Sequence, residues 1–90
     1  MKSPFPLVEV IWLDAITDPQ GWEDVETMEA VAAAEVMTVG FLVKESASAW
    51  LVASTVCEEK TCNSRITIPK GMVKSLRYLR GKPKASDATT

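Results

Sequence analysis

The sequence predicts a mainly β domain: a small barrel of about five strands, with one short α-helix between the first and second strands. Three observations predict it. Several short segments alternate apolar and polar residues with period two and are separated by turn residues, which is typical of antiparallel strands. A helical spacing occurs between the first two of these segments. Residues 65–79 form an alternating strand, a turn marked by Pro69 and Gly71, and a last strand, an order in which many small barrels close.

Length and composition indicate one small globular unit. The chain has 90 residues, of which 47% are hydrophobic, an ordinary value for a folded domain. We expect residues 1–80 to form the barrel and residues 81–90 to form a flexible polar tail. No apolar run approaches the roughly 20 residues of a membrane span, and the first residues lack the features of a secretion signal. These features predict a cytoplasmic protein with no membrane partner.

The first predicted strand is followed by a turn and a helix. Residues 7–13 are rich in β-branched and aromatic side chains and end at Asp14, which predicts a strand. Residues 17–21 contain Asp-Pro and Gly, which predicts a turn. Asp24 is placed to cap a helix that runs to about Ala34. Four apolar side chains fall on one face of this helix: Val25, Met28, Val31 and Ala32.

The middle of the chain is predicted to form strands joined by hairpins. Apolar side chains alternate over residues 36–44, and Gly40 within this strand predicts a bulge, a sharp bend or a close backbone approach. A third strand is predicted over residues 50–57. Polar hairpins are predicted at residues 45–48 and 58–64, on either side of that strand.

The closing segment is predicted to complete the barrel. Ile66 and Ile68 are expected to face the core because they alternate with polar residues. Pro69 ends the strand because it has no N–H to donate to a neighbour. Residues 70–72 form the predicted turn before the last strand.

Charge is distributed unevenly along the chain. Residues 1–59 hold eleven acids and two bases, a net charge of −9, whereas residues 60–90 hold eight bases and one acid, a net charge of +7. The two regions either neutralise each other within the fold or leave a basic patch for an anion or for the acidic face of a neighbouring subunit. Sequence alone does not separate these alternatives.

Residue types argue against an enzyme and against a cofactor. The chain has no histidine, the acids are scattered singly, and no Gly-rich phosphate loop or nucleophile motif occurs. Cys57 and Cys62 are spaced so that they could face each other across a hairpin. They supply two of the four ligands that tetrahedral zinc needs, so we predict reduced thiols and no metal site in a single chain.

Six residues are candidates for ligand contact: Trp12, Asp14, Trp22, Lys70, Lys74 and Arg77. The aromatic ring of Trp22, in the loop before the predicted helix, either stacks on a nucleotide base or covers the barrel mouth. Trp12 and Asp14 end the first strand near the same loop, where the Asp14 carboxylate either accepts a hydrogen bond from a ligand or caps the turn. The three basic side chains either bind phosphate or protect an edge strand from unwanted pairing.

Five segments carry a resemblance to known proteins: residues 8–14 (VEVIWLD), 21–22 (GW), 38–45 (TVGFLVKE), 51–54 (LVAS) and 66–76 (ITIPKGMVKSL). Together they resemble a family of small uncharacterised proteins from tailed phages and prophages, over residues 7–79. The resemblance implies phage origin and, for this protein, the cytoplasm of a host cell.

The barrel is also similar to the Sm-like fold, whose members commonly form rings that bind RNA. Lys70-Gly71 matches the basic-Gly step of the second Sm signature, but Met72 stands where that signature has a polar residue. Residues 45–48 lack the Asp and Asn of the first signature. The resemblance therefore implies an RNA contact for Lys70 alone.

These observations together predict a function of binding rather than catalysis. We expect a non-enzymatic, phage-encoded, homo-oligomeric Sm-like module that binds a nucleotide-type ligand, either RNA or a small nucleotide. One concrete version is a pocket between subunits that captures a host nucleotide immune signal. The alternative is a structural, assembly or host-protein-binding phage protein with no nucleotide ligand.

Overall fold

Five antiparallel strands form one sheet, as expected of a mainly β protein. The structure is a computed structural model that describes residues 1–16 and 21–81. The strands are β1 (Leu7–Asp14), β2 (Ala34–Glu45), β3 (Ala49–Val56), β4 (Cys62–Pro69) and β5 (Val73–Arg80). Their order across the sheet is β4-β3-β2-β1-β5. Residues 17–20 of the predicted turn and residues 82–90 of the predicted tail lie outside the described residues.

The sheet is strongly curved, because a short connection joins its two edge strands. A 3₁₀ helix, Lys70–Met72, links the end of β4 to the start of β5. The edges of a flat five-stranded sheet would be about 19 Å apart, at four spacings of about 4.8 Å. The four Cα–Cα steps from Pro69 to Val73 reach about 15 Å at most. The sheet must therefore curl, although β4 and β5 are not paired and the sheet is not a closed barrel.

The core lies inside this curve. The inward-facing side chains of β1 are buried, as are one from β3 and one from β4. These buried core residues are Val8, Val10, Trp12, Val52 and Ile68. Ile68 is 0% exposed, as predicted, but Ile66 is 37% exposed. Ile66 stands opposite the buried Val52, but β4 is an edge strand of the sheet, so no further strand covers the outer side of Ile66.

Gly40 lies where β2 changes partner. Phe41, the next residue, pairs with Leu7 of β1 on one side and with Ala53 of β3 on the other. A Cβ atom at Gly40 would lie 2.7 Å from the Ala53 carbonyl oxygen and 2.7 Å from Val52 Cγ1. Of the alternatives that the sequence left open for this glycine, a close backbone approach is confirmed.

The prediction of a helix between β1 and β2 is wrong. Residues 21–33 form no helix, and only one helical turn occurs, where the Asp24 carbonyl accepts the N–H groups of Thr27 (3.1 Å) and Met28 (3.2 Å). The Asp24 carboxylate accepts the Glu26 N–H, but this bond closes one turn and caps no helix. The turn does not extend because every side chain in residues 21–33 is exposed, and a helix of about ten residues is unstable without packing.

Within residues 1–16 and 21–81, no helix has the length and apolar character needed to cross a bilayer.

Candidate functional site

The three predicted phosphate-binding side chains all form ion pairs with carboxylates of the same chain. Lys70 pairs with Glu45, Lys74 with Glu35 at 2.6 Å, and Arg77 with Glu9 at 3.1 Å. For these three bases, the structure shows the first alternative left open by the sequence: acidic and basic regions neutralise each other within the fold. An incoming anion would have to compete with a carboxylate at each position.

Lys70 is held on two sides at the end of β4. Its Nζ lies 5.1 Å from the centroid of the Trp50 ring, a cation–π geometry, and it also contacts the Glu45 carboxylate. The Lys70 N–H donates to the Ser48 carbonyl at 2.8 Å. Trp50 is half-buried beneath this lysine. The ammonium group of Lys70 is thus engaged by its own chain.

Lys74 and Arg77 lie on β5, beside β1. Arg77 stands directly opposite Glu9 in the antiparallel register, so their ion pair is a cross-strand pair. Lys74 lies in an irregularity of the β1–β5 register and reaches across β1 to Glu35 on β2. Because Glu35 and Glu45 are at opposite ends of the β2 segment, the side chains of Lys74 and Lys70 extend in different directions.

The two tryptophans proposed to contact ligand have opposite environments. Trp12 is 8% exposed, packs in the core and donates its indole N–H to Thr38 Oγ1 at 3.0 Å. Its ring is therefore used in packing. Trp22 is fully exposed and covers no other part of the described chain. Of the two rings, Trp22 is the one that a ligand or a partner can reach.

The β1–β2 connection presents an exposed apolar surface next to the end of the sheet. Asp14, the exposed last residue of β1, pairs with Ala34, and the connection leaves from this point. Four exposed apolar side chains of residues 21–33, named the loop patch below, are Trp22, Val25, Met28 and Val31. Asp14 and the Glu35–Lys74 pair are at the same end of β1 and β2, whereas Lys70 and Arg77 are bound elsewhere. The six predicted residues thus do not converge on one concave site within a subunit.

The two cysteines do not face each other. Cys62 stands opposite Val56, whereas the Cys57 N–H donates to the Thr61 carbonyl at 2.8 Å. Neighbouring cross-strand pairs point to opposite faces of a hairpin, so the two thiols are directed apart. Both are free and exposed. The described residues contain no cluster of three or more metal-ligating side chains.

Sequence reasoning missed one juxtaposition. Leu7 pairs with Arg80, which brings the N-terminal segment beside the end of β5 and places Lys2, Phe5 and Arg80 around one cleft. No signal in the sequence could have found this grouping, because the pairing of the first strand with the last is a contact between residues distant in the chain.

The chain matches no protein-family model, no curated protein and no solved structure. The resemblances to a tailed-phage family and to the Sm-like fold therefore stay predictions. Any functional conclusion rests on the geometry described above.

Proposed function

We propose that the protein is a non-enzymatic, homo-oligomeric module that binds a nucleotide-type ligand, either RNA or a small nucleotide. The observation that carries this proposal is the fully exposed indole ring of Trp22, in a loop patch whose four side chains are each about half exposed or more. An apolar surface of this kind is favourable only when a ligand or another subunit covers it.

Two open sheet edges support self-association. Strands β4 and β5 lie at opposite edges of the sheet, so each has a row of backbone groups available to another strand. Charged side chains often prevent such pairing, but Lys74 and Arg77 on β5 are neutralised by Glu35 and Glu9. Only seven apolar side chains of the described chain are buried, so burial between subunits would add substantially to a small core.

The ligand class is supported by stacking and by the cations that have no carboxylate partner. An exposed indole ring can stack on any nucleotide base. Within the described residues, five cations take part in no ion pair, unlike Lys70, Lys74 and Arg77: Lys2, Lys44, Lys60, Arg65 and Arg80. We therefore propose that the phosphate is bound by cations that have no carboxylate partner, and not by the predicted Lys70, Lys74 and Arg77.

The finer assignments belong to the same proposal. We propose that the curved sheet is a variant of the Sm-like barrel, which the short link between its edge strands supports. Capture of a host nucleotide immune signal between subunits is a concrete form of the ligand proposal, and it requires the phage origin that the sequence resemblance implies.

A second candidate function is supported by the charge around the loop patch. Glu23, Asp24, Glu26 and Glu29 surround its apolar side chains, and these carboxylates disfavour an approaching phosphate. An exposed segment that combines acids with apolar residues at helical spacing suits a protein groove with a basic rim. This observation favours a structural, assembly or host-protein-binding role without a nucleotide.

Native mass spectrometry combined with a ligand titration tests both candidates. The protein would be examined alone and with single-stranded RNA, a cyclic dinucleotide and ADP-ribose. We expect an oligomer that retains one of these ligands, and Trp22→Ala should weaken retention while Trp22→Phe preserves most of it. An intact oligomer that retains none of them would favour the second candidate, and a strict monomer would contradict self-association.

A further inference from the structure

The N-terminal segment and the end of β5 enclose a cleft with the size of a small-molecule site. Residues 1–6, Arg80 and Gly81 form its walls, and its volume is about 370 Å³. Ligand sites commonly have volumes of about 300–1,000 Å³ and are mainly apolar with a few polar groups. Here Pro4 and Phe5 contribute to a mainly apolar wall, and two cations complete the lining.

The wall formed by the N-terminal segment is held by hydrogen bonds. The Ser3 hydroxyl donates to the Phe5 carbonyl at 2.8 Å and accepts the Phe5 N–H at 3.1 Å. The Pro6 carbonyl accepts the Leu42 N–H at 2.9 Å, which ties the segment to β2. The next residue, Leu7, already pairs with Arg80. The segment is thus anchored to the sheet at its end and has its own internal turn.

Close packing joins the two walls at Gly81. This residue has φ +72°, which glycine adopts readily, and a Cβ atom there would lie 3.3 Å from Pro6 Cα and Cβ. A larger residue would push against the N-terminal segment. The glycine therefore lets the chain leave β5 while it stays in contact with the opposite wall.

The charges in the cleft favour an anion. Lys2 and Arg80 are the charged side chains of the lining, which contains no acid. Neither takes part in an ion pair within the described chain, in contrast to Arg77, which is bound to Glu9. An anion in this cleft would therefore gain charge-assisted hydrogen bonds without displacing a carboxylate.

We propose that this cleft binds a nucleoside monophosphate group, with Lys2 and Arg80 on the phosphate and Phe5 against the base. The inference rests on the nucleotide-type ligand of the proposed function and adds a second contact region for it, the N-terminal cleft, at the opposite end of β1 from the loop patch. The two cations supply the phosphate contacts, and the half-buried ring of Phe5 supplies the apolar surface for a planar group.

Amide NMR of the ¹⁵N-labelled protein, with no tag before residue 1, tests the site with AMP, adenosine and inorganic phosphate as probes. We expect AMP to shift the amide signals of Ser3, Phe5 and Gly81 and to bind more tightly than adenosine or phosphate. Arg80→Gln and Lys2→Gln should each weaken AMP binding about tenfold, the loss of one charge-assisted hydrogen bond. Lys74→Gln, which removes a cation that is paired with Glu35 outside the cleft, should bind AMP as the wild type does.

Other results separate the two proposals. In one such result, a nucleotide shifts signals near Trp22, and the Arg80→Gln and Lys2→Gln variants bind it normally. This result would overturn the cleft as the binding site and leave the proposed function standing. If inorganic phosphate binds as tightly as AMP, the nucleotide class of the cleft ligand is overturned. If AMP, RNA, a cyclic dinucleotide and ADP-ribose all leave the spectrum unchanged, both the cleft and the nucleotide ligand are overturned.

Discussion

Replacing Gly40 by alanine perturbs the point at which β2 passes from β1 to β3. The new methyl group would lie 2.7 Å from the Ala53 carbonyl oxygen and 2.7 Å from Val52 Cγ1. Neither neighbour is free to move. Ala53 is paired with Phe41 in the β2–β3 register, and the Val52 side chain is 1% exposed within the core. Relief of the contact therefore requires a shift of β3 away from β2.

The expected destabilisation is about 2 kcal/mol. Overpacking a well-packed site costs about 1–3 kcal/mol, and two contacts this short, one of them to backbone, place Gly40→Ala in the upper part of that range. The lower chain entropy of alanine in the unfolded state offsets about 0.4–1 kcal/mol. For a domain of 60–100 residues, 1 kcal/mol corresponds to about 4–8 °C, so the melting temperature should fall by about 8–16 °C.

Urea unfolding, followed by tryptophan fluorescence at one fixed protein concentration, measures this change in the free energy of unfolding. Gly71→Ala is the matched control, because nothing lies within 4 Å of a Cβ atom at Gly71. The control should be neutral or slightly stabilising, by about 0.5 kcal/mol. Equal effects of the two substitutions would refute the close approach of β2 and β3 as the reason for glycine at position 40.

Three further substitutions test the core and the surface charges by the same unfolding measurement. Ile68→Ala should cost about 2–5 kcal/mol because its side chain is fully buried, and Ile66→Ala should cost clearly less; the opposite order would contradict the described burial of the two side chains. Thr38→Val should cost about 1–3 kcal/mol because it leaves the buried Trp12 indole N–H without its acceptor, and a neutral result would mean that the Trp12 N–H has another partner. Lys74→Gln should change stability by at most about 1 kcal/mol, since its ion pair is exposed, so a larger loss measured in high salt would argue against a surface pair.

The strands were predictable because their signal is local. Alternation of β-branched and polar residues reflects the pleat of one strand, so residues 7–13 and 36–44 predicted β1 and β2 to within two residues at each end. Gly40 was also recognisable, since glycine inside a strand indicates either a bend or a close neighbour. The sequence could not say which neighbour, because Ala53 approaches only through the pairing of β2 with β3.

The helix prediction failed for a physical reason. Val25, Met28 and Val31 have helical spacing, and the Asp24 carboxylate accepts the Glu26 N–H, but these local features form only a single turn. A short amphipathic helix, however, needs a surface that buries its apolar face, and the described chain brings none to this loop. The same spacing makes the segment a candidate for ordering on a partner.

The candidate site depended even more on tertiary structure. The sequence identified which residues carry charge or aromatic rings, but their availability was decided by distant partners. The β1–β5 register places Glu9 opposite Arg77, and the curl of the sheet buries Trp12 while the β1–β2 connection leaves Trp22 exposed. All three predicted cations, Lys70, Lys74 and Arg77, are in ion pairs, whereas Lys2 and Arg80 take part in none within the described chain.

The sequence by itself thus determined the mainly β class and the approximate strands, because each of these depends on a few neighbouring residues. The tertiary structure alone decided that the sheet curls without closing, that three basic side chains are neutralised by Glu9, Glu35 and Glu45, and that the N-terminal segment lies beside Arg80. These features depend on how the strands pair across long sequence separations, and composition and periodicity do not encode that pairing.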